Sequence, residues 1–235
     1  MATETRTKFH DELAAMEAEL LTLGELAERS VGRATDALAR RDGALARDVI
    51  ASDDEIDRIY LDLEQRILGL LATQTPVASD LRLVSAIMHV NLHLERIGDM
   101  AVNIAKISLA VRDLPGSATV LSHLQEMSDV VRPMIRLSLE AFARRDLELC
   151  LRLPQMDDPV DRLNLGMYKE VAALSDDPDR LDWGLRMNVV ARQLERVGDH
   201  AVDIAEQVGF LLTGEFREFT DASHPVPAVT STDAD

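Results

Sequence analysis

The chain has 235 residues, 46% of them hydrophobic but only 3% aromatic, and a formal net charge of −17. There is enough apolar side chain for a core, built of Leu, Val, Ile, Ala and Met, which suits helices packed side by side better than a sheet of large β-formers. The acidity argues against nucleic-acid binding, which needs a basic surface, and favours cations or basic partners.

The opening stretch MATETRTKFHDEL lacks the apolar centre of a signal peptide, and no run approaches a membrane span. Gly and Pro are sparse, which predicts long helices over about 7–40, 42–74 and 77–112, broken at RRDG and TQTPVASD. After the linker DLPGSA at 113–118, further helices are expected over about 117–144, 146–175 and 178–214. Short connections make sequential helices antiparallel neighbours. The expected fold is all-α: two tandem homologous three-helix bundles, six helices in total, spanning 1–113 and 117–214. Residues 215–235 read as a disordered acidic tail, because they are polar and interrupted by proline. Cys150 is the sole cysteine, so no internal disulfide forms, consistent with a reducing cytoplasm.

The division into two units rests on an internal repeat. ARRD at 39–42 returns at 143–146, and DDEIDRIYL at 53–61 returns as DDPVDRLNL at 157–165. LERIGDMAVNIAK at 94–106 returns as LERVGDHAVDIAE at 194–206, with nine of thirteen positions identical.

The last pair carries the chemistry. Residues four apart on a helix share a face, so Glu95, Asp99 and Asn103 form one oxygen-rich stripe, within an arc of roughly 80°. Glu195, Asp199 and Asp203 form the second. Val90, Leu94, Ile97, Ala101, Ile104 and Ala105 mark the opposite, core-facing side, so the stripes are expected to point away from their own bundles. Asp53 and Asp57, repeated as Asp157 and Asp161, lie at matching heights on the preceding helix, though the helical wheel places Asp53 and Asp57 beside the core rather than facing the stripe. Like charges four apart cost a helix a few tenths of a kcal/mol, a penalty that a bridging cation would reverse. Carboxylate oxygens suit hard or borderline divalent ions. Gly98 and Gly198, inside strong helices, read as points of close helix approach. Arg96 and Arg196 are candidates to pair with the adjacent acids, and His200, which replaces Met100, reads as a surface histidine or a ligand in one half only. No phosphate-binding loop, dinucleotide fingerprint or H-E-x-x-H is present, and no Glu has His three residues later.

With LER-x-GD-x-A-x-x-IA present twice, each time in the third helix of a unit, the chain resembles the PhoU family of phosphate-regulation proteins over most of residues 7–214. The resemblance implies two three-helix bundles and divalent or multinuclear metal, from among iron, manganese, magnesium and zinc. Its ligands would be Glu95, Asp99, Glu195 and Asp199, extended by Asn103 and Asp203, with Asp57 and Asp161 as further candidates. It also implies a homodimeric, cytoplasmic, non-enzymatic negative regulator of phosphate uptake and starvation signalling. Its partners would be the phosphate ABC transporter and a sensor histidine kinase, with no nucleic acid and no membrane insertion. A metalloenzyme using the carboxylate-bound metal is the alternative.

Overall fold

The computed structural model describes residues 2–219, with side chains described from residue 6. Among them there are six long helices and one helix of four residues: α1 (Ala2–Arg40), α2 (Gly43–Thr73), α3 (Ser79–Val111), α4 (Ala118–Arg144), α5 (Leu147–Cys150), α6 (Leu153–Ala172) and α7 (Pro178–Thr213). The first three pack on one another, as do α4, α6 and α7, giving the two expected bundles.

Heptad-like spacing makes α1 long. Phe9, Leu13, Met16, Leu20, Leu23, Ala27, Val31, Ala34 and Leu38 recur at intervals of three and four and are all buried, an apolar stripe sustained along most of the helix. The repeated ARRD is a helix stop followed by a helix start. Arg41 and Arg145 both take the left-handed conformation at φ 55°. The next residue donates its N–H back to the chain, Asp42 to Ala37 O and Asp146 to Ala141 O. The same aspartates then cap the following helices, Asp42 accepting from the N–H groups of Ala44 and Leu45, Asp146 from those of Glu148 and Leu149. A left-handed turn costs a non-glycine residue roughly 1–2 kcal/mol, which these bonds offset.

One helix departs from expectation. The stretch 146–175 is not continuous but breaks between α5 and α6, where Pro154 sits in the first turn of α6. Proline has no N–H for the residue four back and its ring clashes with that carbonyl. In the first unit the equivalent position is Ile50, and α2 runs through unbroken.

The two bundles share a face, α1 against α4 and α3 against α7, and their apolar residues form one continuous core. Thr35 and Ser128 share a buried hydrogen bond of 3.0 Å across that face, and Glu28 accepts from both Arg132 and Arg136. Beyond α7, Gly214 closes the helix at φ 77°. The next residues correct the expected tail: Phe219 donates its N–H to Glu206 at 2.6 Å, its ring lies over Gly209, and Phe216 packs on Phe210 with ring centroids 4.9 Å apart. The apolar rings and the one-carbon gap at Gly209 favour folding back. The remainder of the expected tail, 220–235, lies outside the described residues.

Candidate metal centre

The acidic segments of α2 and α3 meet, as do those of α6 and α7. In the first repeat Asp53 and Asp57 of α2 lie close enough to Glu95 and Asp99 of α3 for their charges to act on one another. In the second, Asp157 and Asp161 stand in the same relation to Glu195 and Asp199.

The glycine of Glu-Arg-x-Gly-Asp makes this approach possible. A Cβ on Gly198 would collide with Asp157 Oδ1, and one on Gly98 would lie 3.1 Å from Ile56 Cδ1 and 3.4 Å from Asp53 Oδ1. The expectation of close approach is therefore met, and the neighbour is the carboxylate helix itself. Asp53 is half-buried and Asp157 buried, whereas the expected ligands Asp57 and Asp161 are exposed at the rim. The stripes are not uniformly turned to solvent: Glu195 is only 8% exposed, because the adjoining helix, whose Asp157 is 7% exposed, leans over the stripe. Asn103 is exposed, as Asp57 and Asp161 are.

Several of these groups carry uncompensated charge. Burial, reinforced by Asp57 and Asp99 and opposed by Lys106, raises Asp53 to about 6. Burial, reinforced by Asp161, Asp199 and Glu195, raises Asp157 to about 7. Glu95, Glu195 and Asp199 are also pushed upward, burial being the main cause in each and a neighbouring aspartate the next. Glu95 Oε2, Asp157 Oδ1 and Glu195 Oε2 are buried with no hydrogen-bond partner. Buried carboxylate oxygens without donors are costly unless something cationic faces them.

The arginines only partly serve. Arg96 lies 3.5 Å from Glu95 Oε2, outside hydrogen-bond geometry, and 3.7 Å from Asp99. In the second repeat Arg192, rather than the expected Arg196, pairs with Glu195. Arg196 instead borders a pocket of about 310 Å³ that Asp157, Asp199, His200, Asp203 and Glu206 also line. The donor set of carboxylate oxygens, several of them orphaned, is what a hard divalent cation requires.

His200 is drawn into a contact that its position in the repeat did not foretell. Its Nδ1 lies 3.2 Å from Asp203 Oδ2 and 3.1 Å from Nδ1 of His93, on α3 of the other repeat. His93 is held down to about 4, chiefly by burial, against the pull of Asp203 and with His200 and His89 adding to the depression. His93 was not a candidate on sequence grounds.

The PhoU domain profile matches residues 20–108 and 124–208, one match for each bundle. The chain belongs to the PhoU family. It is 33% identical over 216 residues to a Caulobacter vibrioides protein named phosphate-specific transport system accessory protein PhoU homolog, covering 92% of this chain and 94% of that one. A protein of the same name from Pseudomonas aeruginosa is 34% identical over 218 residues, with 92% and 88% covered. Among solved structures, PhoU from Pseudomonas aeruginosa superposes with a TM-score of 0.84 at 34% identity, covering 88% of this chain and 100% of the other. The phosphate transport system regulatory protein PhoU from Streptococcus pneumoniae gives 0.82 at 30% identity, with 89% and 99% covered. The PhoU relatives bear accessory and regulatory names. Among the described residues no helix is long and apolar enough to cross a membrane.

Proposed function

We propose that the chain is a metal-binding accessory regulator of phosphate-specific transport. It acts in the cytoplasm as a homodimer, restraining phosphate uptake and starvation signalling by docking on the phosphate ABC transporter and a sensor histidine kinase. The family relationship and the names of the relatives support the phosphate role. The observation that carries the metal role is the duplicated carboxylate cluster with orphaned buried oxygens on Glu95, Asp157 and Glu195. Asp53, Asp57, Glu95 and Asp99 would hold metal in the first repeat, and Asp157, Asp161, Glu195 and Asp199 in the second. Bound cations would supply positive charge that screens carboxylates now repelling one another and would brace α2 on α3 and α6 on α7. Apolar side chains left exposed at an equivalent position of the two repeats, Leu61 on α2 and Leu165 on α6, together with Tyr168, offer surface for a protein partner.

The test is a deletion strain carrying a reporter of the phosphate-starvation response. At high phosphate the reporter is expected to be switched on by the deletion, silenced by the wild-type chain, and left on by Asp99→Ala/Asp199→Ala. A reporter indifferent to the deletion would refute the regulatory role; silencing by the double variant would refute the dependence on the clusters.

A further inference from the structure

We propose that His93, His200 and Asp203 form a separate mixed imidazole–carboxylate site for a borderline divalent cation, best matched by Zn²⁺, which ties the two repeats together across α3 and α7. This site does not rest on the carboxylate clusters, whose donors are all oxygen. It adjoins the second cluster, since Asp203 and His200 also line the pocket beside Asp157 and Asp199.

The distances carry the assignment. His93 Nδ1, His200 Nδ1 and Asp203 Oδ2 form a triangle with sides of 3.1, 3.2 and 3.5 Å. A tetrahedral ion with bonds of about 2.0–2.1 Å to nitrogen and oxygen separates neighbouring donors by about 3.3 Å. A hydrogen-bonded account serves the triangle less well. Two protonated Nδ1 atoms would clash head to head, whereas a single Nδ1 proton either bridges the two nitrogens and leaves Asp203 Oδ2 without a donor from the rings, or serves Asp203 and leaves the nitrogens unbridged. The imidazole planes are tilted by 50°, so the rings converge at their nitrogens rather than stack. His200 Nε2 is buried without a partner, so no second hydrogen bond fixes that ring, and what faces Nδ1 sets its orientation. Two imidazoles and one carboxylate match zinc better than magnesium or calcium, which take oxygen.

The site can exist only once per chain. In the internal repeat the equivalents of His93, His200 and Asp203 are Gln193, Met100 and Asn103, which offer two neutral amides and a thioether. Two differences between otherwise closely matching motifs, Met100 against His200 and Asn103 against Asp203, thus acquire a common cause.

The experiment uses the full chain, stripped of metal and titrated with Zn²⁺ alone, with X-ray absorption to identify the ligating atoms. Wild type is expected to bind one Zn²⁺ through imidazole nitrogens at about 2.0–2.1 Å. His93→Gln and Asp203→Asn, each checked for unchanged helicity by circular dichroism, are expected to weaken that ion at least about a hundredfold, more than the loss of an outer-shell partner. Asp53→Asn/Asp99→Ala, confined to the first carboxylate cluster, is expected to leave the nitrogen-ligated ion in place. Zn²⁺ bound through oxygen alone, or bound equally well by His93→Gln, would overturn the proposal while leaving the carboxylate sites standing. Nitrogen-ligated Zn²⁺ as the only bound metal would uphold it and remove the carboxylate reading instead.

Discussion

Asp157 rests its carboxylate on the bare backbone of Gly198, so that an acidic side chain of α6 occupies the space a Cβ of α7 would fill. Replacing Gly198 by Ala brings two opposing effects. The helix gains about 1 kcal/mol in propensity, while the Asp157 carboxylate is forced out of its place beside Glu195 and Asp199. Metal-free stability is expected to change little, and metal uptake by the second repeat to fall. Gly98→Ala meets its neighbours at 3.1–3.4 Å, mostly methyl groups of Ile56, and is expected to do less harm. Metal titration of the two variants, followed by thermal shift, makes the comparison; undiminished uptake by Gly198→Ala would show that Asp157 is not part of the site.

The raised carboxylates give the metal-free protein an unusual dependence on pH. Asp157 holds its proton up to about 7 when folded against 3.8 otherwise. The folded state therefore binds more protons between those values, and stability falls as pH rises through them. Asp53, raised to about 6, acts in the same direction, while His93, held down to about 4, opposes them below its ordinary 6.5 without cancelling both. In chelator, wild type is expected to unfold at a higher temperature near pH 5 than near pH 8. Asp157→Asn, which cannot ionise, should flatten part of that slope and stabilise the metal-free protein at pH 8. A wild-type midpoint that rises between pH 5 and 8, with Asp157→Asn no more stable, would contradict the buried charge.

Helix boundaries and the division into two bundles were legible because the signals are local: ARRD stops one helix and caps the next in both repeats. The convergence of carboxylates was half legible. Heights along antiparallel helices follow from counting residues, but the rotation of α2 and α6 depends on core packing, so Asp53 and Asp157 were passed over for the more exposed Asp57 and Asp161. His93 was not legible at all, since its partners lie in the other repeat at non-equivalent positions. The break at Pro154 is not legible from a proline alone, because Pro133 and Pro159 sit inside continuous helices.

Metal binding to the folded state alone raises stability by RT ln(1 + [L]/Kd), about 2.7 kcal/mol at a hundredfold excess over the dissociation constant. Wild type is expected to show this gain with divalent cations. Asp99 and Asp199 lie on the more open side of their clusters, so Asp99→Ala/Asp199→Ala should keep its helicity and lose the gain. Without metal the double variant should match or slightly exceed wild type, because like charges have been removed. Elemental analysis after purification without chelator supplies an independent readout, and equal metal in both proteins would remove these residues from the site.

Phe219 is the outermost anchor of the chain among the described residues. Its ring sits 3.1 Å from where a Gly209 Cβ would stand, and its N–H is held by Glu206. These contacts hold the segment after Gly214 back along α7. Phe219 is only half-buried. Full burial of a Phe side chain is worth about 1.5–3 kcal/mol, so Phe219→Ala is expected to cost about 1 kcal/mol. Gly209→Ala should cost a comparable amount by lifting the ring, offset in part by helix propensity. Because both changes break one contact, their costs should not add in the double variant. Additive losses in denaturant unfolding would show that Phe219 and Gly209 act separately, and no loss from Phe219→Ala would show that the segment contributes nothing to the fold.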